Sequence, residues 1–238
     1  MISYHVITFI WAIDLRMIKS YPFSDFPPTP VKPERQHLVS KLKRGNNIDP
    51  LFYNDAAFDW MYPEHFQLMS IRQWTPLSVA IRAGHFLAVP NARVLDIGSG
   101  IGKFCLVAAY YHPETFFHGV EQRKELVYQA EEARRYTQLP NVNFINANLT
   151  QINFKEFDHF YFYNSFYENL NPENSIDDTI ETSYSLYAYY TQYLRNALDE
   201  KPSGTRLVTF HSLEEEIPPG YFLADVSYDT LLKMWIKK

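Results

Sequence analysis

Apolar positions follow two different periods along this chain. From about Asp55 to Val89 the spacing is helical, most clearly in "TPLSVAIRAGHFLAVP", where Leu77, Ala80, Ile81, Gly84 and Leu87 share one face. Thr75 is read as the N-cap with Pro76 at the first helical position, and Pro90 closes the run. Beyond it, short apolar runs alternate with amphipathic ones. "RVLDIG", "FFHGVE", "VNFINA", "HFYFYN" and "TRLVTFHS" read as strands, while "KFCLVAAYY", "KELVYQAEEARRYTQ" and "SLYAYYTQYLRNAL" read as helices. The tail "YFLADVSYDTLLKMWIKK" reads as two strands around a turn near Tyr228-Asp229.

Strand–helix alternation at these lengths predicts right-handed crossovers and a largely parallel sheet between two helical layers. The last two strands stand too close for a crossover helix, so they are expected to form an antiparallel hairpin. The fold class is therefore α/β, a three-layer αβα sandwich. Upstream, Pro22, Pro27, Pro28, Pro30 and Pro33 exclude helix and interior strand. The expected division is an extension and proline-rich arm over 1–45, a helical segment over 46–90 that packs on the core, and the αβα domain over 91–238.

Composition narrows the function classes. The net charge of −5 does not attract a polyanion to the surface as a whole. The local basic stretch with Lys32, Arg35, Lys41, Lys43 and Arg44 reads as a solvated segment, so nucleic acid is the less favoured partner. A single cysteine, Cys105, rules out an internal disulfide and fits the cytoplasm. No histidine pair has metal-ligand spacing, and no metal is expected. The apolar stretch Ile2 to Ile13 is too short to span a bilayer and lacks the basic and small-residue flanks of a secretion signal. Met17 is an alternative start. No membrane association is expected.

The stretch that speaks to a ligand is "VLDIGSGIGKFC". A strand ends at Ile97, and Gly98, Ser99, Gly100 and Gly102 turn into the next helix, the usual place for a ligand on a sheet of this type. The dinucleotide fingerprint G-x-G-x-x-G requires glycine where this chain has Lys103, which disfavours a nicotinamide dehydrogenase. Asp96, two residues before the first glycine, would repel a pyrophosphate and suits a ligand bearing an ammonium group and no phosphate. S-adenosyl-L-methionine has those properties, and amides at the start of the following helix favour its carboxylate. Glu121, followed by Gln122, ends the second strand about 20 residues later, where an acid accepts ribose hydroxyls. Asn148 and Leu149 follow the third strand, where an amide and an apolar side chain suit an adenine. Thr75 lies within reach of the same edge.

In these motifs the chain resembles the class I S-adenosylmethionine-dependent methyltransferases from about residue 75 to the C-terminus. "VLDIGSGIG" is similar to their first motif and "GVE" to their acidic strand end. A closer similarity, over roughly seventy residues, is to the lysine methyltransferases of the telomeric-silencing type and their bacterial relatives, which favour an acid where this chain has Asn148. The resemblance implies a Rossmann-like seven-stranded sheet of order 3-2-1-4-5-7-6, with S-adenosyl-L-homocysteine as product.

"NSFY", Asn164 to Tyr167, resembles the (D/N)-P-P-(Y/F) tetrad of amino-group methyltransferases, with Ser165 and Phe166 in place of both prolines. The resemblance implies that Asn164 accepts protons of an amine and aims it, while Tyr167 orients the acceptor. Asn164 is also counted among the cofactor contacts. Phe166 and Tyr167 offer rings to a flat or cationic acceptor, and Glu168 and His211 are candidate bases. The expected acceptor is an amine-bearing protein or small molecule. The alternative is an inactive cofactor-binding module serving as a subunit of a complex. Asp177, Asp178 and Glu181 read as the favourable negative first turn of a helix, and the tyrosines after them as core.

Overall fold

The computed structural model describes residues 49–238. The apolar stretch, the alternative start at Met17, the proline-rich arm and the basic stretch read in the sequence all lie outside the described residues. Among the described residues three α-helices precede the first strand: α1 (Asp55–Asp59), α2 (Glu64–Gln73) and α3 (Leu77–Leu87). There follow β1 (Arg93–Ile97), α4 (Lys103–Tyr111), β2 (Phe116–Glu121), α5 (Lys124–Thr137), β3 (Val142–Asn146), β4 (His159–Tyr163), α6 (Tyr184–Asp199), β5 (Arg206–Phe210), β6 (Tyr221–Ser227) and β7 (Leu232–Lys237).

The seven strands form one sheet in the order β3-β2-β1-β4-β5-β7-β6. β1 through β5 pair in parallel, and β7 runs antiparallel to both β5 and β6. The hairpin turn carries Tyr228, Asp229 and Thr230, all left-handed. β1 lies between β2 and β4, with Ile97 level with Val120 on one side and Phe162 on the other. Its carboxyl end is therefore flanked by strand ends that the chain reaches far apart in sequence.

Alternation along the strands divides the core. Val94, Phe117, Tyr161 and Val208 face α1 to α5. Leu95, Ile97, Phe160, Phe162 and Leu207 face α6 and the short 3-10 turns. Tyr161 stacks on Phe104 of α4 at 3.9 Å, and each fully buried ring of this kind contributes about 1.5–3 kcal/mol. The second face is covered more thinly than alternation alone implies. The connection from β3 to β4 contains only the 3-10 turns Leu149–Gln151 and Phe154–Glu156, since its Asn and Gln residues cap turns in place of extending a helix.

One helix start differs from its reading. Pro76, not Thr75, takes the cap position of α3, and no side chain there caps it locally. The cap comes instead from α1: Asp55 Oδ1 accepts the Leu77 N–H at 2.8 Å. Thr75 is buried, its hydroxyl sharing a 3.0 Å hydrogen bond with the Tyr161 hydroxyl.

Candidate functional site

The turn after β1 is held from both sides. The Gly98 and Ser99 amides both donate to the Val120 carbonyl, at 2.9 and 3.0 Å. From the β4 side, Ser165 Oγ donates to the Ile97 carbonyl at 2.5 Å. Gly100 (φ 53°) and Gly102 (φ 81°) are left-handed, a region that glycine enters without strain. Their missing side chains also admit neighbours. A Cβ on Gly100 would stand 2.8 Å from the Trp74 ring, and one on Gly102 would collide with Phe144. The glycines thus serve contacts within the protein, a purpose that the ligand argument from sequence did not contain.

Asp96 lies buried beneath this turn. Its only side-chain donor among the described residues is the Cys105 thiol, at 3.6 Å. Burial pushes the Asp96 carboxyl well above the usual carboxylate range; the thiol contact pulls it down and Glu121 pushes it further up. Such a carboxyl lacks a cation.

Glu121, at the end of β2, is also buried. Its Oε2 accepts the Gly100 amide at 3.2 Å and its Oε1 the Arg123 amide at 2.8 Å. Burial raises its pKa, and the amides and the Arg123 charge reduce the rise. Each oxygen retains a lone pair for a further donor. Asn148 follows β3 and caps the turn Leu149–Gln151 with its Oδ1. Its amide donates to Gln122 Oε1 at 3.1 Å and to the Tyr190 hydroxyl at 2.9 Å. Gln122 and Asn148 are thereby brought together. Leu149 is buried in the core, as is Ile97. The Ser99 hydroxyl turns towards Gly119 and has no hydrogen-bond partner among the described residues.

The end of β4 carries the tetrad. Asn164 is left-handed (φ 43°), its amide donating to Ser212 Oγ at 3.4 Å and its carbonyl accepting from the Tyr167 amide at 3.0 Å. The side chains of Asn164 and Tyr167 are half-buried and make no hydrogen bond to another described residue. His211 follows β5 with a left-handed backbone and rests against Tyr163 and Phe210. Burial lowers its pKa and keeps the imidazole neutral.

Three expectations are corrected here. Phe166 is not an open platform: it is buried against Phe162 and Tyr190. Glu168 is not a free base, since both its oxygens are bound by Arg123, at 3.1 and 2.7 Å. Asp177, Asp178 and Glu181 do not begin a helix; all three lie before α6, and Asp177 holds Arg123 Nε at 2.9 Å. The tyrosines of α6 are also divided: Tyr187 is core, whereas Tyr184 and Tyr189 are exposed.

Two cations escaped the sequence reading. Lys103 is buried at the start of α4, with Asp55 and Asp59 at 2.6 and 2.7 Å. Arg123 is buried just before α5. Both stand at the positive end of a helix, where a cation is out of place unless acids offset it. That position was the available signal.

Residues 88–197 match a family model described as a methyltransferase domain. Over 55 residues the chain is 47% identical to the tRNA (guanine-N(7)-)-methyltransferase of Synechococcus sp. (strain JA-3-3Ab), a stretch that makes up 23% of each protein. The chain thus spans less than a quarter of the length of the curated relatives it matches. Among solved structures, TrmN from Thermus thermophilus superimposes with a TM-score of 0.50 at 23% identity, over 72% of this chain and 51% of that one. An RNA methyltransferase from Salinibacter ruber in complex with S-adenosyl-L-homocysteine gives 0.49 at 20% identity, over 68% and 92%. Residues 88–197 are thus similar to a methyltransferase domain, and they lie on a sheet with the strand order that the resemblance to the class I methyltransferases implies.

Proposed function

We propose that the protein transfers a methyl group from S-adenosyl-L-methionine to an amine nitrogen, and that the carboxyl edge around β1 is its active site. The observation that carries the reading is the buried Asp96 carboxyl, raised in pKa and without a cation, directly under the glycine turn. A ligand ammonium supplies the charge it lacks. Glu121 keeps two lone pairs for ribose hydroxyls, and the joined Gln122 and Asn148 side chains stand where an adenine edge is read. The Gly98–Gly102 turn, including the Ser99 backbone, lies on the methionine side. Ile97 and Leu149 contribute backbone and apolar walls. Thr75 acts from behind, through Tyr161.

The bound cofactor supplies an electrophilic methyl on a sulfonium, whose departure as a neutral thioether needs little acid–base help. The protein's part is mainly to hold reactants in line and away from water. Asn164 Oδ1 accepts a hydrogen bond from the amine N–H and so aims the nitrogen's lone pair. Tyr167 bounds the acceptor. A protonated amine must lose a proton first, and the neutral His211 imidazole takes it. The single cysteine supports a cytoplasmic setting. No helix among the described residues is long and apolar enough to cross a membrane.

A nucleic-acid acceptor is the second reading, favoured by the local similarity to the tRNA (guanine-N(7)-)-methyltransferases. Incubation with methyl-labelled cofactor and fractionated cell extract separates the two. Label is expected in protein or small amines. Label in RNA alone would move the acceptor to nucleic acid, and tight cofactor binding with no label in any fraction would leave a binding module.

A further inference from the structure

Arg123 sits two residues past Glu121, and its side chain is only 4% exposed. A guanidinium so buried must be paired. Its Nη atoms form a fork with Glu168, and its Nε binds Asp177, both acids themselves almost enclosed. Burial opposes its charge, yet the two carboxylates outweigh that and hold its pKa above the ordinary value. Asp177 in turn holds the Thr179 amide and hydroxyl, at 3.0 and 2.7 Å.

The sheet order gives these bonds their significance. β2 and β4 are not neighbours; β1 runs between them. Ion pairs from residue 123, after β2, to residues 168 and 177, after β4, therefore cross above the carboxyl end of β1, where Gly98 opens the turn. Glu168 directly follows Tyr167, and the Arg123 amide binds Glu121 Oε1 at 2.8 Å. One residue thus fixes the ribose-side acid with its backbone and the acceptor-side segment with its side chain.

We propose that Arg123 is a positioning residue that straps residues 165–177 across the cofactor crevice, and that its ion pairs open and re-form whenever the cofactor is exchanged. The inference rests on the reading of this edge as the cofactor site. Three donors in a planar fork hold two acids in one geometry; a lysine offers a point charge and cannot reproduce it.

Surface plasmon resonance with S-adenosylhomocysteine over the immobilised full chain tests the strap through rates. Removing one acid of a buried ion pair weakens the closed state strongly, so Glu168→Gln and Asp177→Asn should each raise both association and dissociation rates by about tenfold, leaving Kd within about threefold. Arg123→Lys should raise both by less. A merely structural clamp would not speed association. Association rates equal to the unsubstituted protein's, or weaker binding through dissociation alone, would overturn the proposal. Failure of the unsubstituted protein to bind at all would instead sink the cofactor reading beneath it. Hydrogen exchange of the ligand-free protein gives an answer even where a variant does not fold. Amides in 165–177 should exchange by local opening, far faster than those of β4. Exchange of that segment only in step with β4 would show that no strap opens.

Discussion

Asp96 illustrates how one side chain ties the stability of the fold to the ligand proposed for it. Its raised pKa means that the stability it contributes is complete below the ordinary carboxylate range, near roughly pH 4, and is lost as pH rises through the folded value. Asp96→Asn keeps the shape and an acceptor for the Cys105 thiol but cannot ionise. The unfolding temperature of the ligand-free variant should therefore fall less than that of the unsubstituted protein between about pH 5 and 8. The same change should weaken cofactor binding by about tenfold, the loss of a charge-assisted hydrogen bond. Parallel pH profiles together with unchanged calorimetric affinity would remove Asp96 from the role proposed. The positions of Asp96, Glu121 and Asn148 were legible because each is fixed by its offset from a strand end. The acidic partners of Lys103 and Arg123 were not, because even the nearest of them in the chain, Asp59 and Glu168, lie 44 and 45 residues away. Local periodicity contains no information at that range; only the misplaced charge at a helix start hinted at it.

The helices before β1 are joined to the glycine turn by more than apolar contact. Lys103 at the start of α4 binds Asp55 and Asp59 of α1, with Ser70 of α2 at 3.1 Å. The Tyr62 hydroxyl donates to the Ile101 carbonyl at 3.0 Å, and Trp74 lies against Gly100. Asp55 also caps α3, so a single acid serves two helices. Lys103→Met leaves Asp59 buried without its cation, and denaturant unfolding should show a loss of about 3–5 kcal/mol. Adding Asp59→Asn removes the stranded charge and should restore part of that loss. A single variant within 1 kcal/mol of the unsubstituted protein, on the order of a surface pair's worth, would show that the ion pairs contribute little. Here the sequence was informative about which segments are helix and strand, because their periods differ. It misplaced the cap of α3, because a cap supplied from another helix has no local signature. It also left the β3–β4 connection open, where side-chain caps favour turns over a helix.

Taken as a whole, the molecule follows from three constraints: parallel strands need crossovers, two closely spaced final strands need a hairpin, and buried strands need cover on both faces. Those constraints were visible in the spacing of apolar runs, and the sheet order agrees with them. Charge acts over the same distance as the fold and bears on the acceptor. The chain carries a net charge of −5. Asp178, Glu181 and Glu215 are exposed in the segments after β4 and β5, the strands whose ends carry the acceptor side of the proposed site. A rim of this sign attracts a cationic amine and repels phosphate. The salt dependence of transfer separates the two acceptor readings. For a small cationic amine, kcat/KM with labelled cofactor should fall less than about threefold between roughly 50 and 200 mM salt, because few ions are released. A polyanion held through six to ten phosphate contacts would lose about 10³–10⁵ in affinity over that interval. A slope of that steepness would reverse the acceptor assignment. It would also require a basic surface elsewhere on the chain to hold the phosphates, since the acids beside β4 and β5 cannot.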